Sequence, residues 1–545
     1  MSAMRGTVYQ AFCDTCARTP GAEFLCMLPE TARHYGIEPR SYSYAQTLHE
    51  VERLRVQYAA AALGHGHRVA LMLENRPAFF FHWLALNALG VSVVPLNPEW
   101  RAAELEYLLG HAEPCAAIVP PERIPDLTEA ARSASRHVVV SIEDLSGLER
   151  VPVQPPFGDR TPDVDTECAL LYTSGTTGRP KGCVLPNEYY LRAGTWYANV
   201  GGLCQVRPGE ERLLTPLPTS HMNAMAFSTM VVVLTGGCLI PLDRFHPKTW
   251  WHSVRESKAT LIHYLGVMPP ILLGAPESRD DRDHRVRFGF GAGVSPRLHA
   301  GFESRFGFPL LEAWAMTETG AGAVIIANRE PRKVGSACFG KAAPEVECQI
   351  VDDQGNPVAQ EQPGELLVRA EGPHPRQGFF REYLKDPQST AMAWEGGYFH
   401  TGDIVRQDAD GDLHFVDRKK NVIRRSGENI SAVEVESVLL QHPCVASVGV
   451  AAVPDDVRGD EVMACVVPRT LPGEAAHTTL AHELLEFCLA RLAYFKAPGY
   501  VAFCSELPLT PTEKIQRARL GELARGRVQA RDCVDLRPFK KRPAH

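Results

Sequence analysis

The chain lacks several features that would place it quickly. No apolar run reaches the length of a membrane span, and the stretch Met230 to Leu234 is cut short by Gly236-Gly237. Met1 to Ala22 has no basic region followed by an apolar one of signal-peptide length. Positive charge is not in surplus: the formal net charge of -7 speaks against a general nucleic-acid binder. Lys540-Lys541-Arg542 reads as a short solvated tail. The 15 cysteines are scattered, and no second pair joins Cys13-x-x-Cys16 at metal-site spacing. Packed thiols in an N-terminal helix and a reducing, cytoplasmic location are therefore expected. Internal repeats and low-complexity runs are absent as well.

What is present is enough chain for two to four domains or subdomains, with 545 residues, 45% of them hydrophobic and 22% charged. Short apolar strands alternate with helices from Val69 to Val119 and again from Arg212 to Leu311, the rhythm of parallel α/β layering. The spacing predicts a helix over Pro296 to Phe306 and strands over Cys168 to Leu171, Thr260 to Leu265 and Val286 to Phe290. Between Pro344 and Gly372 the pattern turns to short strands and turns, a β-rich subdomain. After Asp417 it becomes a compact α+β unit. The expected fold class is thus α/β: a large N-terminal domain of layered α/β subdomains plus a β-rich subdomain, followed by a small α+β C-terminal domain.

The densest chemistry lies in Tyr172-Thr-Ser-Gly-Thr-Thr-Gly-Arg-Pro-Lys-Gly182. Glycines let backbone N–H groups converge on an anion, hydroxyls add donors, and Lys181 adds a mobile positive charge. The run suits a polyphosphate, placed between an apolar strand and a helix starting at Asn187. It is not a Walker A loop, because Lys181 is followed by glycine and that spacing is missing.

Six segments in order resemble the adenylate-forming acyl-CoA synthetase superfamily. They are Tyr172 to Gly182, Gly291-Ala292-Gly293, Trp314-Ala-Met-Thr-Glu318, Tyr398-Phe-His-Thr-Gly-Asp403, Asp417-Arg418 with Ile423 to Ile430, and Pro511-Thr-Glu-Lys514. Ala259 to Met268 and Arg425 to Ser431 look most like its crotonobetaine/carnitine-CoA ligase branch.

The resemblance implies an ATP-dependent acid-CoA ligase that forms an acyl-adenylate and pyrophosphate, then an acyl-CoA and AMP. On that reading Thr173, Ser174, Gly175, Thr176, Thr177, Gly178 and Lys181 wrap the phosphates. Trp314 stands where the family commonly has tyrosine and would stack on adenine, beside Gly291 and Ala292. Thr317 would touch the α-phosphate, and Glu318, with Thr176, would hold Mg²⁺. Asp403 and Arg418 would hold the ribose, with Asp403 in a turn after His400-Thr-Gly. His221 would gate the carboxylate, with Asn223 and His263 near the acyl tail. Lys514 would bridge carboxylate and phosphate during adenylation.

Gly427 would line the path of pantetheine, and Arg424 and Arg425 are either CoA-phosphate ligands or a solvated charge run. The implied division is an N-terminal domain over 1–417, a hinge over 418–420 including Lys420, and a C-terminal lid over 421–545. Tyr264, Trp196 and Tyr197 are candidates for an aromatic cage around a cationic substrate.

Expected cofactors and partners are ATP, Mg²⁺, CoA and a small to medium carboxylic acid, with no nucleic acid, no membrane insertion and room for a homodimer. No phosphopantetheine-attachment signature such as Gly-x-Asp-Ser is present, which favours free CoA as acceptor. The alternatives are an adenylating enzyme that loads a separate carrier protein, and a catalytically silent nucleotide-binding sensor.

Overall fold

A computed structural model describes residues 6–173, 180–418, 422–469, 474–508 and 515–541. Two compact units emerge. The first comprises Met1–Pro98, Leu109–Leu171 and Gly182–Asp417; the second is Arg418–His545 together with Glu99–Leu108 and Tyr172–Lys181.

Three sheets build the first unit. One is seven-stranded and carries Arg68–Leu71, Ser92–Pro95, Ala116–Ile118 and Val139–Ser141 in parallel register. The second is eight-stranded, and its strands Leu261–Leu265, Phe288–Ala292 and Leu310–Trp314 run parallel side by side. Their carboxyl ends therefore open on the same edge, where ligands of open α/β sheets bind. The third is an antiparallel five-stranded sheet containing Val346–Val351, Gly364–Ala370 and Phe399–Gln407, the expected β-rich subdomain.

The two large sheets need cover on both faces, and their strands are apolar on both. The helix Pro77–Ala88 is buried along nearly its whole length, and Asn187–Asn199 buries Tyr189, Tyr190 and Tyr197. Each aromatic ring so buried contributes about 1.5–3 kcal/mol. Asn187 fastens the start of the second helix: its amide donates to the carbonyls of Asp163 and Thr166 and accepts from Val8 N and Asn87 Nδ2. The helix at Pro296–Phe306 begins and ends where the sequence puts it, with proline in its first turn and Gly307 in the left-handed conformation after its end.

The second unit has a six-stranded sheet in which Val445–Asp455 and Gly459–Pro468 form a long antiparallel pair. Helices Ala432–Leu439 and Glu474–Leu489 cover a core of Ile423, Val450, Leu484 and Phe495. Among the described residues no helix is long and apolar enough to cross a membrane.

One element departs from expectation near the glycine–hydroxyl run. A strand, Lys181–Pro186, stands between that run and the helix Asn187–Asn199. Its apolar residues Cys183, Val184 and Leu185 are buried, and it pairs with Glu382–Tyr383.

Candidate functional site

The strand Leu310–Trp314 runs on past Leu311 and makes Trp314 its last residue rather than the start of a loop. The indole is 7% exposed, and a buried N–H requires an acceptor. It donates from Nε1 to Asp403 Oδ2 at 2.8 Å, across 89 residues of sequence. Asp403 itself does not lie in a simple turn. It sits inside the strand Phe399–Gln407, where Leu367 pairs with His400 and Glu365 with Ile404, so Thr401, Gly402 and Asp403 oppose Leu366 alone. Gly402, at φ 69°, accommodates this bulge. Thr401 Oγ1 donates to Leu366 O and accepts from Asp403 N, which fixes the bulge in place.

Beyond Trp314 the chain folds into a tight turn, with Met316 O accepting from Thr319 N and Gly320 N. Thr317 O accepts the Tyr189 hydroxyl at 2.9 Å. Glu318 is buried, and its Oε1 accepts the Tyr383 hydroxyl at 3.0 Å. Trp314, Thr317, Glu318 and Asp403 thus belong to one neighbourhood at the carboxyl end of one strand.

Gly291 and Ala292 end the adjacent strand, Phe288–Ala292. A Cβ on Gly291 would stand 2.3 Å from Tyr264 O, and one on Gly266 would stand 1.9 Å from Gly293 O. Only glycine permits these strand ends to approach so closely. The buried Glu312 carboxylate holds the following loop by accepting from Gly293 N, Val294 N and the Tyr264 hydroxyl. Burial pushes Glu312 above the usual carboxylate range, and these donors offset part of that rise.

Tyr264 is therefore committed to Glu312, and the three aromatic-cage candidates are not brought together. Trp196 and Tyr197 instead join His263. The His263 ring is wholly buried, with Tyr197 Oη 3.0 Å from Nε2, and Ser228 Oγ at 2.8 Å and Asn223 Oδ1 at 2.6 Å from Nδ1. Burial drives its pKa down to about 3, so it is a neutral imidazole. Phe290 packs on Tyr197 and His263, with ring centroids 4.7 and 4.9 Å away. His221 lies just before this group, half-exposed, and its carbonyl accepts from Met225 N.

The sequence singles out His263 and Asn223 but not Ser228, whose contact with the same ring depends on a π-helical segment, Asn223–Ser228. Nor does it single out Tyr383 and Glu312, which carry no motif of their own.

Thr173 ends the strand Glu167–Thr173 and Lys181 begins the strand Lys181–Pro186, and the Tyr107 hydroxyl donates to Pro180 O at 2.9 Å. Ser174, Gly175, Thr176, Thr177, Gly178, Lys420 and Lys514 lie outside the described residues. Arg418 ends the strand Leu413–Arg418. Gly427, at φ 89°, and Ser426, at φ 51°, make the two-residue turn between Val422–Arg425 and Glu428–Ser431.

Two basic residues of the second unit correct the sequence reading. Arg425 is neither solvated nor presented to a phosphate: it is buried, with Nε 2.9 and 2.8 Å from the two Glu461 carboxylate oxygens. Lys540 is no solvated tail residue either, since its Nζ reaches Glu461 Oε1 at 2.6 Å in the interior. Both follow from one cause, the need to compensate a carboxylate that is wholly buried.

Among the described residues one acidic trio has metal-site spacing, Asp408, Asp410 and Asp412. Lys333 Nζ lies 2.6, 2.7 and 3.1 Å from these three carboxylates and supplies the cation internally.

Residues 12–384 match the pattern of the AMP-binding enzymes, and residues 434–514 match the AMP-binding enzyme C-terminal domain. The chain belongs to the AMP-binding enzyme family, whose members activate acids as adenylates. Crotonobetaine/carnitine–CoA ligases of Shigella sonnei and Escherichia coli O8 are each 30% identical over 493 residues, spanning 88% of this chain and 93% of theirs. An o-succinylbenzoate CoA synthetase from Bacillus subtilis superposes with a TM-score of 0.79 at 23% identity, over 95% of this chain and 99% of that one. The amide bond synthetase McbA from Marinactinospora thermotolerans does so at 0.78 and 23%, over 95% and 99%. At those identities the two structures bear on the fold alone.

Proposed function

We propose that this chain is an ATP-dependent acid–CoA ligase acting on a small to medium carboxylic acid. The observation that carries the reading furthest is the hydrogen bond from Trp314 Nε1 to Asp403 Oδ2, which joins two motifs distant in sequence beside the buried Glu318. The two curated CoA ligases, similar over most of both chains, support CoA as the acceptor.

In the first step a carboxylate oxygen of the acid bonds to the α-phosphorus of ATP, and the bond to the β-phosphate oxygen breaks, releasing pyrophosphate. The acid is already an anion, so no general base is needed; the task is to bring anions together and offset their charge. Thr173, Ser174, Gly175, Thr176, Thr177, Gly178 and Lys181 cradle the departing phosphates. Trp314 offers its face to adenine, with Gly291 and Ala292 leaving room, and Asp403 and Arg418 accept and donate to the ribose. Thr317 contacts the α-phosphate, His221 guards the carboxylate, and Lys514 bridges carboxylate and phosphate with its ammonium. Glu318 presents hard carboxylate oxygens of the kind Mg²⁺ takes, and together with Thr176 it would hold that ion, which offsets phosphate charge. In the second step the CoA thiol gives up its proton to water, its sulfur bonds to the acyl carbon, and the bond from that carbon to the phosphate oxygen breaks to release AMP, with Gly427 bordering the pantetheine path. Residues 1–417 and 421–545 act as the two domains, joined by a hinge over 418–420 that brings each catalytic face up in turn.

Acid-dependent exchange of labelled pyrophosphate into ATP tests the first step, and AMP release that needs free CoA tests the second. Lys514→Ala lowers exchange by about 10²–10³-fold while ATP binding is retained. Exchange near the wild-type rate in that variant would remove Lys514 from the mechanism. AMP release that required a carrier protein instead of CoA would replace the ligase reading.

A further inference from the structure

The His263 group fixes more than a place in the core. Its strand, Leu261–Leu265, lies two strands from the one that carries Trp314, about 10 Å away at ordinary strand spacing. A short acyl chain spans that distance. The amide oxygen of Asn223 can only accept, so at 2.6 Å the imidazole proton sits on Nδ1 and is donated to it. Ser228 Oγ shares that proton and donates its own to Asn223 O at 3.2 Å, and Tyr197 donates to Nε2. Every polar atom around the ring is thereby assigned.

The π-helical segment makes this possible. On an α-helix Asn223 and Ser228 would stand about 140° apart around the axis. The wider turn brings both onto Nδ1, and Thr229 Oγ1 closes the next turn in the same way on Ala224 O. Single π turns recur at functional sites.

With Oδ1 held by His263, the two N–H bonds of the Asn223 amide face away from the buried ring, on a residue that is only half-buried. Phe290, which packs on His263, also packs with Trp196 and Phe227, the centroids of these three rings lying 5.6 to 6.3 Å apart. We propose that Asn223, oriented by His263, selects acids whose tail carries a neutral hydrogen-bond acceptor, a carbonyl, hydroxyl or ether oxygen. This rests on the adenylating function proposed above. An aliphatic tail offers the two N–H groups no acceptor, and a quaternary ammonium tail meets their positive ends.

Pyrophosphate exchange measured with straight-chain acids, oxo acids and trimethylammonio acids of about four to eight carbons tests this. The best oxo acid exceeds its methylene counterpart in kcat/KM by about 5- to 150-fold, the range of one well-made hydrogen bond in a desolvated site. Asn223→Leu removes that margin with the KM for ATP unchanged, and Asn223→Asp reverses the ranking in favour of the ammonium acid. A change of fold or stability alone would not reverse a ranking. His263→Phe, which frees the amide to turn, narrows the margin without reversing it. Equal rates with oxo and methylene acids would overturn the selection by Asn223 and leave adenylation standing. If ATP binds and no acid in the series promotes exchange, the adenylating function falls and this inference falls with it.

Discussion

Glu312 and Glu461 are both buried carboxylates on strands, and the protein satisfies them in opposite ways. Glu312, in the first unit, accepts from neutral donors, two backbone N–H groups and a tyrosine hydroxyl. Glu461, in the second, is met by two basic side chains, Arg425 and Lys540. Burial acts upward on both. It prevails at Glu312, whereas at Glu461 the charges of Lys540 and Arg425 override it and hold the carboxyl below its ordinary range. The difference follows what each group fastens. Glu312 holds a loop of adjacent residues, Gly293 and Val294, where fixed backbone dipoles suffice. Glu461 ties the end of the chain to the strand leading into the Ser426–Gly427 turn, and long cationic side chains reach across that gap.

Replacing Glu461 breaks the comparison most severely. Glu461→Leu leaves the buried Arg425 guanidinium and the Lys540 amine without their carboxylate and costs the second unit about 3–5 kcal/mol. Denaturant unfolding, with hydrogen exchange of the amides around Val422–Ser431, measures it; a loss below about 1 kcal/mol would mean these groups find other partners.

Glutamine substitutions sharpen the contrast. Glu312→Gln keeps an acceptor for neutral donors and costs about 1 kcal/mol, whereas Glu461→Gln removes the charge that its partners need and costs about 2–3 kcal/mol. Equal losses in the two variants would erase the distinction between them.

The smallest effect is on pH dependence. Burial, with the Arg425 charge nearby, presses Lys540 down to about 7 from the ordinary 10.5. Across that window the unfolded chain holds a proton that the folded chain lacks, so stability rises with pH. The groups facing this lysine are Glu461, Arg425 and Arg458. Glu312 has the reverse sign: its raised value makes stability fall as pH climbs through and above the ordinary 4.5. Wild-type protein therefore gains stability relative to Lys540→Met between about pH 7 and 10. Parallel curves for the two proteins would contradict that.

The layering was legible from local pattern, as the helix Pro296–Phe306 illustrates: a proline opens it, a glycine closes it, and both signals are local. The motif residues were legible as a set, through the resemblance. What stayed hidden depends on distant partners. Nothing near Lys540 in sequence announces Glu461, and the run Lys540-Lys541-Arg542 looks solvated until that carboxylate is in view. Asp403 read as a turn residue because Thr-Gly signals a turn, yet pairing with Gly364–Ala370 keeps the segment in a sheet and makes it a bulge. The strand Lys181–Pro186 was masked by the glycines before it. Ser228 escaped notice because a π turn has no sequence period of its own.

The central claim, that this site joins an acid to AMP and then hands the acyl group to CoA, is tested most directly by one assay on the full chain. Purified protein is given ATP, labelled pyrophosphate and a panel of carboxylic acids, with and without free CoA. The account predicts label entering ATP only when an acid is present, and AMP accumulating with acyl-CoA once CoA is added. Exchange that ignores the acid, or acid activation that never yields a CoA thioester, would contradict it.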